Sequence, residues 1–282
     1  MIKIAPIIVG IIILLIVLSI TISTIIFNQK VKSEVEELFE KNKDAKPKIV
    51  AESDIEELPE PVQKWLKNSN VIGKERIFAV RLRQQGLIRT KEGQPWIPAE
   101  AEQYFTIDEP GFIWKVKVKM APLLYLVGRD KYYEGKGNML IKFMALMTVV
   151  NARGKEIDQG TMLRYLGETV WFPTAALSKY IKWESIDSNS AEATMSYKGV
   201  TASAIFKFKD NGEVTSFVCK RYMRVNDHYS LENYSVHLKD YKELNGIKIP
   251  TEGEAVWNLK AEDFSVYKFK ITEIEYNKPL VY

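Results

Sequence analysis

The residues best suited to chemistry are a few charged side chains near the middle of the chain. They are Arg129, Asp130, Asp158, Arg164 and Glu168. Carboxylates beside a guanidinium group can bind a polar ligand or exchange protons with a substrate. The same residue types also suit structural roles, because Asp158 can cap a helix and Arg164 can pair with Glu168 at i,i+4. We treat the five as a candidate polar cluster and assign no catalytic residue.

Motifs of other chemistries are missing from the sequence. No serine lies in a Gly-x-Ser-x-Gly elbow, and a single cysteine, Cys219, excludes an intrachain disulfide. His228 and His237 lack an HExxH or paired-cysteine context, so no zinc site is predicted. The segment 135–137, Gly-Lys-Gly, reads as a turn because the rest of a phosphate-binding loop is absent. The sequence therefore predicts no metal, no cofactor, and binding rather than catalysis.

The N-terminal stretch from Ile4 to Phe27 contains no charged residue and is mostly Ile, Leu and Val. At about 1.5 Å per residue it makes a helix of roughly 36 Å, enough to cross a hydrocarbon core of about 30 Å. A cleaved signal would have a shorter apolar run ending in small residues, whereas bulky β-branched residues end this one. We therefore predict a single transmembrane anchor over residues 1–29, with the lipid bilayer as its partner.

The remaining chain is predicted to form an amphipathic stalk and linker over residues 30–50 and a β-rich domain over 51–282. Forty basic and thirty-six acidic residues leave a net charge of +4, too small to predict nucleic-acid binding. One apolar stripe in the stalk includes Val35, Leu38 and Phe39. A proline at position 47 is predicted to end this helix and mark the linker.

Alternating apolar and polar residues predict antiparallel strands throughout the domain. The clearest strand directs Phe112, Trp114, Val116 and Val118 to one side and three lysines to the other. We predict an α+β fold of about ten strands, with a helical insertion at about 158–180. A sheet this wide must curl into a half-barrel or open barrel, because strands twist. Its concave side would then be apolar.

Seven short blocks together resemble a bacterial family of unknown function, numbered 6544, or its close relative numbered 6920. The blocks are residues 58–63, 100–105, 129–130 with 135–137, 158–160, 163–166, 171–177 and 271–277. The resemblance spans nearly all of residues 58–277. It implies no activity and supplies no catalytic residues.

The C-terminal third, from the Asp-Tyr-Lys-Glu-Leu-Asn-Gly segment at 240–246 onward, looks like the end of the outer-membrane lipoprotein-sorting half-barrels. Those proteins hold acyl chains on the concave side of a curved sheet, which implies a lipid or other apolar ligand here. This chain departs from them by keeping its anchor and lacking a lipid-attachment cysteine. The resemblance also implies an extracytoplasmic domain at the cell membrane, although Lys30 and Lys32 after the span favour the opposite side.

Three functional hypotheses follow. The first is a membrane-tethered, non-enzymatic module that binds a lipid or other apolar ligand on the concave sheet. The second is a protein-interaction or assembly module of the envelope with a filled core, whose protein partner is unidentified. The third is a hydrolase-type enzyme that uses Asp158, Arg164 and Glu168. For the first hypothesis the predicted ligand-binding residues are Phe112, Trp114, Val116, Val118, Trp171 and Phe172.

Overall fold

The structure, a computed structural model, describes residues 4–41, 48–226 and 228–282. Part of the predicted linker, residues 42–47, lies outside the described residues. These residues include three α-helices: α1 (Ile4–Glu40), α2 (Glu60–Asn68) and α3 (Lys155–Glu168). Short 3₁₀ helices follow α3 at Thr169–Trp171 and Pro173–Leu177. The predicted insertion at 158–180 thus corresponds to α3 and these two turns.

In the part of the chain that the structure describes, thirteen antiparallel strands form one sheet. They are β1 (Ala79–Ile88), β2 (Ile97–Thr106), β3 (Gly111–Ala121), β4 (Leu124–Tyr133), β5 (Lys136–Phe143), β6 (Met147–Ala152), β7 (Ile181–Asp187), β8 (Ser190–Tyr197), β9 (Val200–Phe208), β10 (Val214–Val225), β11 (His228–Leu244), β12 (Ile247–Asn258) and β13 (Asp263–Tyr276). Two meanders, β1–β6 and β7–β13, are joined where β1 pairs with β13. The fold is therefore the predicted α+β half-barrel.

The predicted number of ten strands is wrong. The segment 139–150 is apolar on both faces, which is typical of one central strand or buried helix, but it forms parts of β5 and β6. The turn between them has no glycine, proline or asparagine, and Met144 and Ala145 adopt positive φ angles of 52° and 58°. Turns are recognised in sequence chiefly by those residue types, so an apolar turn has no local signal.

Helix α3 lies in the hollow of the curled sheet and connects its two edge strands, β6 and β7. It packs against β5 on one side and against β9 and β10 on the other. At Gly137 in β5 the helix approaches so closely that a Cβ would lie 2.6 Å from the Ile157 carbonyl oxygen. The helix thus covers part of the concave apolar face, and the main core lies between it and the sheet.

A second apolar cluster lies on the convex face of the sheet. There the C-terminal half of α1 buries Phe27, Val31, Val35 and Leu38, a stripe at helical spacing. This stripe packs on outward-facing residues of the sheet, including Ile113 of β3. The part of the predicted stalk within α1 is therefore docked along the domain. The N-terminal part of α1 exposes its Ile, Leu and Val side chains, and it is long and apolar enough to cross a membrane.

Candidate ligand-binding site

A cavity of about 540 Å³ lies on the concave side of the sheet, between α3 and the strands. Its volume falls within the range of about 300–1,000 Å³ typical of small-molecule sites. Apolar side chains line most of it: Ile88, Ile97, Trp114, Val116, Val118, Met120, Leu126, Met139, Ile141, Leu163, Val170, Trp171, Phe217, Val236, Leu238, Ala255, Val266 and Phe269. The cavity can therefore receive an apolar chain or ring.

Strand parity explains how the cavity wall is built. Along β3, Trp114, Val116 and Val118 point into the concave side, and Ile113 points out toward α1. The same alternation in β5 sends Met139 and Ile141 inward and Leu140 outward. Strands β3, β4 and β5 thus contribute alternate residues to the wall.

Six residues were predicted to bind an apolar ligand, and the structure places four of them on the cavity wall. These are Trp114, Val116, Val118 and Trp171. Phe112 and Phe172 instead lie fully buried in the adjoining core, where both rings pack against Phe105. They support the end of the cavity without lining it.

The candidate polar cluster divides into three separate places. Asp130, Arg164 and Glu168 meet on the cavity wall. Arg164 Nη1 donates to Asp130 Oδ2 at 2.8 Å, and Arg164 Nε donates to Glu168 Oε1 at 2.9 Å. The guanidinium also lies 4.5 Å from the centre of the Trp114 ring. Arg164 therefore holds both carboxylates and packs against an aromatic ring of the wall.

Arg129 lies on the other face of the sheet, because adjacent residues of a strand point to opposite sides. Its side chain is buried, and its Nε lies 2.9 Å from Glu34 Oε2 of α1, an ion pair without the alignment of a hydrogen bond. Burial lowers the pKa of Arg129, against the raising influence of Glu34. Arg129 thus helps to attach α1 to the sheet and has no part in the cavity.

Asp158 is also separate from the cavity. Its Oδ1 accepts a hydrogen bond of 2.7 Å from the Gly137 backbone N–H, and its Oδ2 lies 3.0 Å from Lys136 Nζ. The expectation that Asp158 caps the helix is wrong, since α3 begins three residues earlier and Gly154 stands at its N-cap. Asp158 instead attaches the first turn of α3 to β5.

A continuous hydrogen-bonded network extends from the ion pairs along the cavity wall. Gln103 Nε2 donates to Glu168 Oε2 at 2.7 Å, and Gln84 Nε2 donates to Gln103 Oε1 at 3.3 Å. Gln84 Oε1 in turn accepts from Trp114 Nε1 at 3.3 Å and from the Tyr267 hydroxyl at 3.1 Å. The polar atoms of the network bind one another, so a ligand meets few unpaired polar groups.

Burial shifts the titration of the two carboxyl groups in this network. It raises the pKa of Asp130 and of Glu168, and Arg164 acts in the opposite direction on both. For Arg164 itself burial lowers the pKa, but Glu168 and Asp130 outweigh that effect and the net shift is upward. The guanidinium therefore stays charged, and it is what allows carboxylates to exist beside an apolar cavity.

Two more arginines, Arg89 and Arg221, lie on the cavity wall. The guanidinium carbon of Arg221 in β10 lies 4.9 Å from the centre of the Tyr234 ring and 6.0 Å from that of Trp257. Within the described part of the chain no carboxylate forms an ion pair with it. Nearby, burial raises the pKa of the Cys219 thiol to about 12. Arg221 is thus a wall cation whose charge acts on Asp130 and Glu168 without an ion pair, and Cys219 is a buried thiol.

Sequence reasoning missed Gln84, Gln103, Arg221 and Tyr267. A signal existed for the two glutamines, because each occupies a position of apolar parity: Gln84 follows Val80 and Leu82 in β1, and Gln103 precedes Phe105 in β2. A polar residue on the buried face of a strand requires a partner inside the fold. Among the described residues, no group of three or more His, Cys, Asp or Glu side chains could hold a metal ion.

Two solved structures with low sequence identity are similar to this chain. A LolA superfamily protein from Nitrosomonas europaea is 11% identical, with 77% of this chain and 94% of that chain covered and a TM-score of 0.41. A domain from Vibrio parahaemolyticus, named for outer membrane lipoprotein sorting, is 9% identical, with 72% and 87% covered and a TM-score of 0.37. The name of the second is that of the lipoprotein-sorting proteins which the C-terminal third resembles in sequence.

No curated protein matches this chain. The model of a family of unknown function, DUF6544, matches residues 48–269, which is most of the chain and includes every strand from β1 to β12. Of the two families that the sequence blocks suggested, this match identifies the first. The chain belongs to the DUF6544 family.

Proposed function

We propose that this protein is a membrane-tethered module that binds a lipid or another amphipathic molecule in the concave cavity. The observation that carries the proposal is the cavity itself, whose volume of about 540 Å³ is bounded by apolar side chains from both meanders and from α3. Burying an apolar chain there would stabilise the complex by about 25 cal/mol per Å² of apolar surface removed from water. Arg221 favours a ligand with a negatively charged end.

Two alternatives receive less support from the structure. An assembly module with a filled core would have no such cavity. An enzyme built on Asp158, Arg164 and Glu168 would need the three to act together, but Asp158 binds the backbone of Gly137 and Lys136. Arg164 and Glu168 are engaged with each other and with Asp130 and Gln103. Binding therefore remains the function that the geometry supports best.

The test compares two tryptophan substitutions at adjacent positions of β3. Val118→Trp places a large ring in the cavity, whereas Lys119→Trp places the same ring on the opposite, exposed face. Full-length protein in mild detergent is titrated with parinaric acid, a fluorescent long-chain fatty acid. We expect saturable binding to the wild type and to Lys119→Trp, and at least a several-fold weaker affinity for Val118→Trp.

Equal binding by both variants would show that the probe lies elsewhere on the protein and would overturn the proposal. A wild type that neither binds the probe nor carries lipid in native mass spectrometry after gentle purification would have the same consequence. Thermal unfolding of both variants, followed by near-UV circular dichroism, establishes that the substituted chains are folded before their affinities are compared.

The membrane attachment and the side of the membrane are parts of the same proposal. The exposed apolar part of α1 supports a spanning helix, and the resemblance of the C-terminal third to envelope half-barrels supports an extracytoplasmic domain. We expect the full chain to float with vesicles and to resist extraction at alkaline pH. A reporter fused after Tyr282 that is active only in the cytoplasm would contradict the extracytoplasmic placement.

A further inference from the structure

Helix α1 and strand β4 run side by side in the same direction on the convex face. Three contacts define their alignment: Thr24 Oγ1 lies 3.1 Å from the Tyr125 hydroxyl, Glu34 pairs with Arg129, and Lys41 Nζ lies 2.5 Å from Glu134 Oε1. Because α1 is continuous from Ile4 to Glu40, its docked half fixes the direction in which its apolar half leaves the domain. That direction is toward the start of β4 and the end of β3.

The β3–β4 turn therefore lies level with the apolar part of α1. Leu123 precedes Tyr125 by two residues, about 7 Å of extended chain, which equals about five helical residues. Leu123 is thus level with α1 residues near position 19, inside the stretch predicted to span the membrane. At the level of Tyr125 itself, α1 still exposes Ile22, Ile25 and Ile26. The β3–β4 turn thus lies at the same level as the part of α1 whose exposed side chains are apolar.

Leu123 is an unusual residue for a turn in water. Its side chain is 89% exposed, and its φ of +67° lies in the left-handed region that glycine and asparagine occupy most easily. Leucine at this place is unfavourable both for the backbone and for the exposed side chain. An apolar environment around the turn would remove the cost of exposing the leucine side chain to water.

Neighbouring residues extend this apolar surface. Met120, Leu123 and Leu124, in and beside the β3–β4 turn, and Leu146 and Met147, in and beside the β5–β6 turn, are all exposed, and we name these five the rim. The two turns are adjacent, since the Met144 N–H donates to the Tyr125 carbonyl at 3.0 Å. Met120 also lines the cavity, and so do Leu126 and Ile141 from the same end of the sheet. The cavity thus opens at the rim.

We infer that the rim inserts into the leaflet of the lipid bilayer nearest the domain, so that the mouth of the cavity opens at the membrane surface. This inference rests on the membrane tether of the proposed function. The docked half of α1 fixes the orientation of the domain relative to the bilayer, and the rim is the second point of attachment to the membrane. A lipid could then pass between leaflet and cavity without crossing water.

The experiment measures the depth of two turns at opposite ends of β3 in phosphatidylcholine vesicles. Full-length Leu123→Cys and, as the matched control, Asp108→Cys of the β2–β3 turn are labelled with the fluorophore NBD and reconstituted. The two turns are about 35 Å apart along the strand. Cys219 is buried, so the wild type serves as the unlabelled reference. Leu146→Cys provides a second rim position if the first variant unfolds.

We expect blue-shifted emission and several-fold stronger quenching by doxyl-labelled lipid at position 123 or 146 than at position 108. Water-like emission at both rim positions, in protein that floats with the vesicles, would overturn the inference and leave the tether intact. Protein that does not float would refute the tether and the inference with it. Unchanged parinaric acid binding by the labelled variants in detergent shows separately that the cavity is preserved.

Discussion

At the residue scale the central group is Arg164, which lets two carboxylates exist beside an apolar cavity. Its guanidinium donates to Asp130 and Glu168, and its face packs on Trp114. The Glu168 carboxylate also accepts a hydrogen bond from Gln103, which is fully buried. Such a network specifies one arrangement of wall side chains, because every member depends on its neighbours for hydrogen bonds. We regard it as the support of the cavity, with binding left to the apolar wall and Arg221.

Replacing Arg164 by methionine removes the cation and keeps most of the side-chain volume. Asp130 and Glu168 would remain buried without their partner, so we expect the free energy of unfolding to fall by about 3–5 kcal/mol at pH 8. The measurement is guanidinium unfolding in mild detergent. Lys182→Met is the control, because it breaks the exposed Lys182–Glu184 pair and should have no measurable effect.

The loss in Arg164→Met should depend on pH. Burial raises the pKa values of Asp130 and Glu168 above their ordinary values of 3.8 and 4.5, so the folded state binds these protons at higher pH than the unfolded chain does. At a pH above their pKa values in the folded state, both carboxyl groups are charged and disfavour folding. This penalty disappears as the pH falls through the folded-state pKa values toward the ordinary values of the unfolded chain. The deficit relative to wild type should therefore shrink at pH 5. An equal deficit at both pH values would exclude this electrostatic cause.

At the scale of elements, the double use of α1 is the most informative feature. Its N-terminal half is exposed and apolar, and its C-terminal half buries a stripe against the convex face. Ion pairs of Glu34 with Arg129, Glu37 with Lys131 and Lys41 with Glu134 flank that stripe. If α1 spans a membrane as proposed, this continuous helix fixes the orientation of the sheet relative to the bilayer.

Val35→Asp tests this docking. Val35 is fully buried in the stripe, so an aspartate there would place an uncompensated charge in the convex cluster and detach the helix. We expect amide hydrogen exchange in residues 28–40 to accelerate about tenfold or more, with little change in β8–β10. Glu36→Ala on the exposed side of α1 is the control. Unchanged exchange in Val35→Asp would mean that α1 is held by other contacts.

At the scale of the whole molecule, a half-barrel with an open cavity should gain stability from its ligand. The sheet curls around α3 but leaves about 540 Å³ unfilled by the protein itself. A ligand that binds only the folded state raises the free energy of unfolding by RT ln(1 + [L]/Kd), about 2.7 kcal/mol at a hundredfold excess over Kd. The proposed function therefore predicts that ligand content and stability are linked.

Removing bound lipid should accordingly lower the unfolding temperature of the full chain. For a domain of this size the shift should be about 5–10 °C, and saturating parinaric acid should restore it. The Val118→Trp variant, whose cavity is partly filled, should respond several-fold less than Lys119→Trp. Near-UV circular dichroism during heating measures the shift. Identical melting of lipid-free and lipid-loaded wild type would contradict the linkage.

Local patterns in the sequence were sufficient for much of the fold. An uncharged run of 24 residues predicts the helix that can span a membrane, and alternation along segments such as 112–120 predicts the strands and the side chains that face inward. These properties depend on a residue and its near neighbours, so they can be read without knowing the rest of the fold. The apolar β5–β6 turn was not predicted, because none of its residue types is typical of a turn.

Contacts between distant residues were decided only by the tertiary structure. Gln103 and Glu168 are 65 residues apart, and Glu34 meets Arg129 across 95 positions, so no local pattern brings them together. The cavity volume depends on how far the sheet curls and how closely α3 approaches Gly137. The sequence by itself determined which faces are apolar. The register of thirteen strands and the packing of two helices determined which of those faces meet, because curl and closure are properties of the assembled sheet.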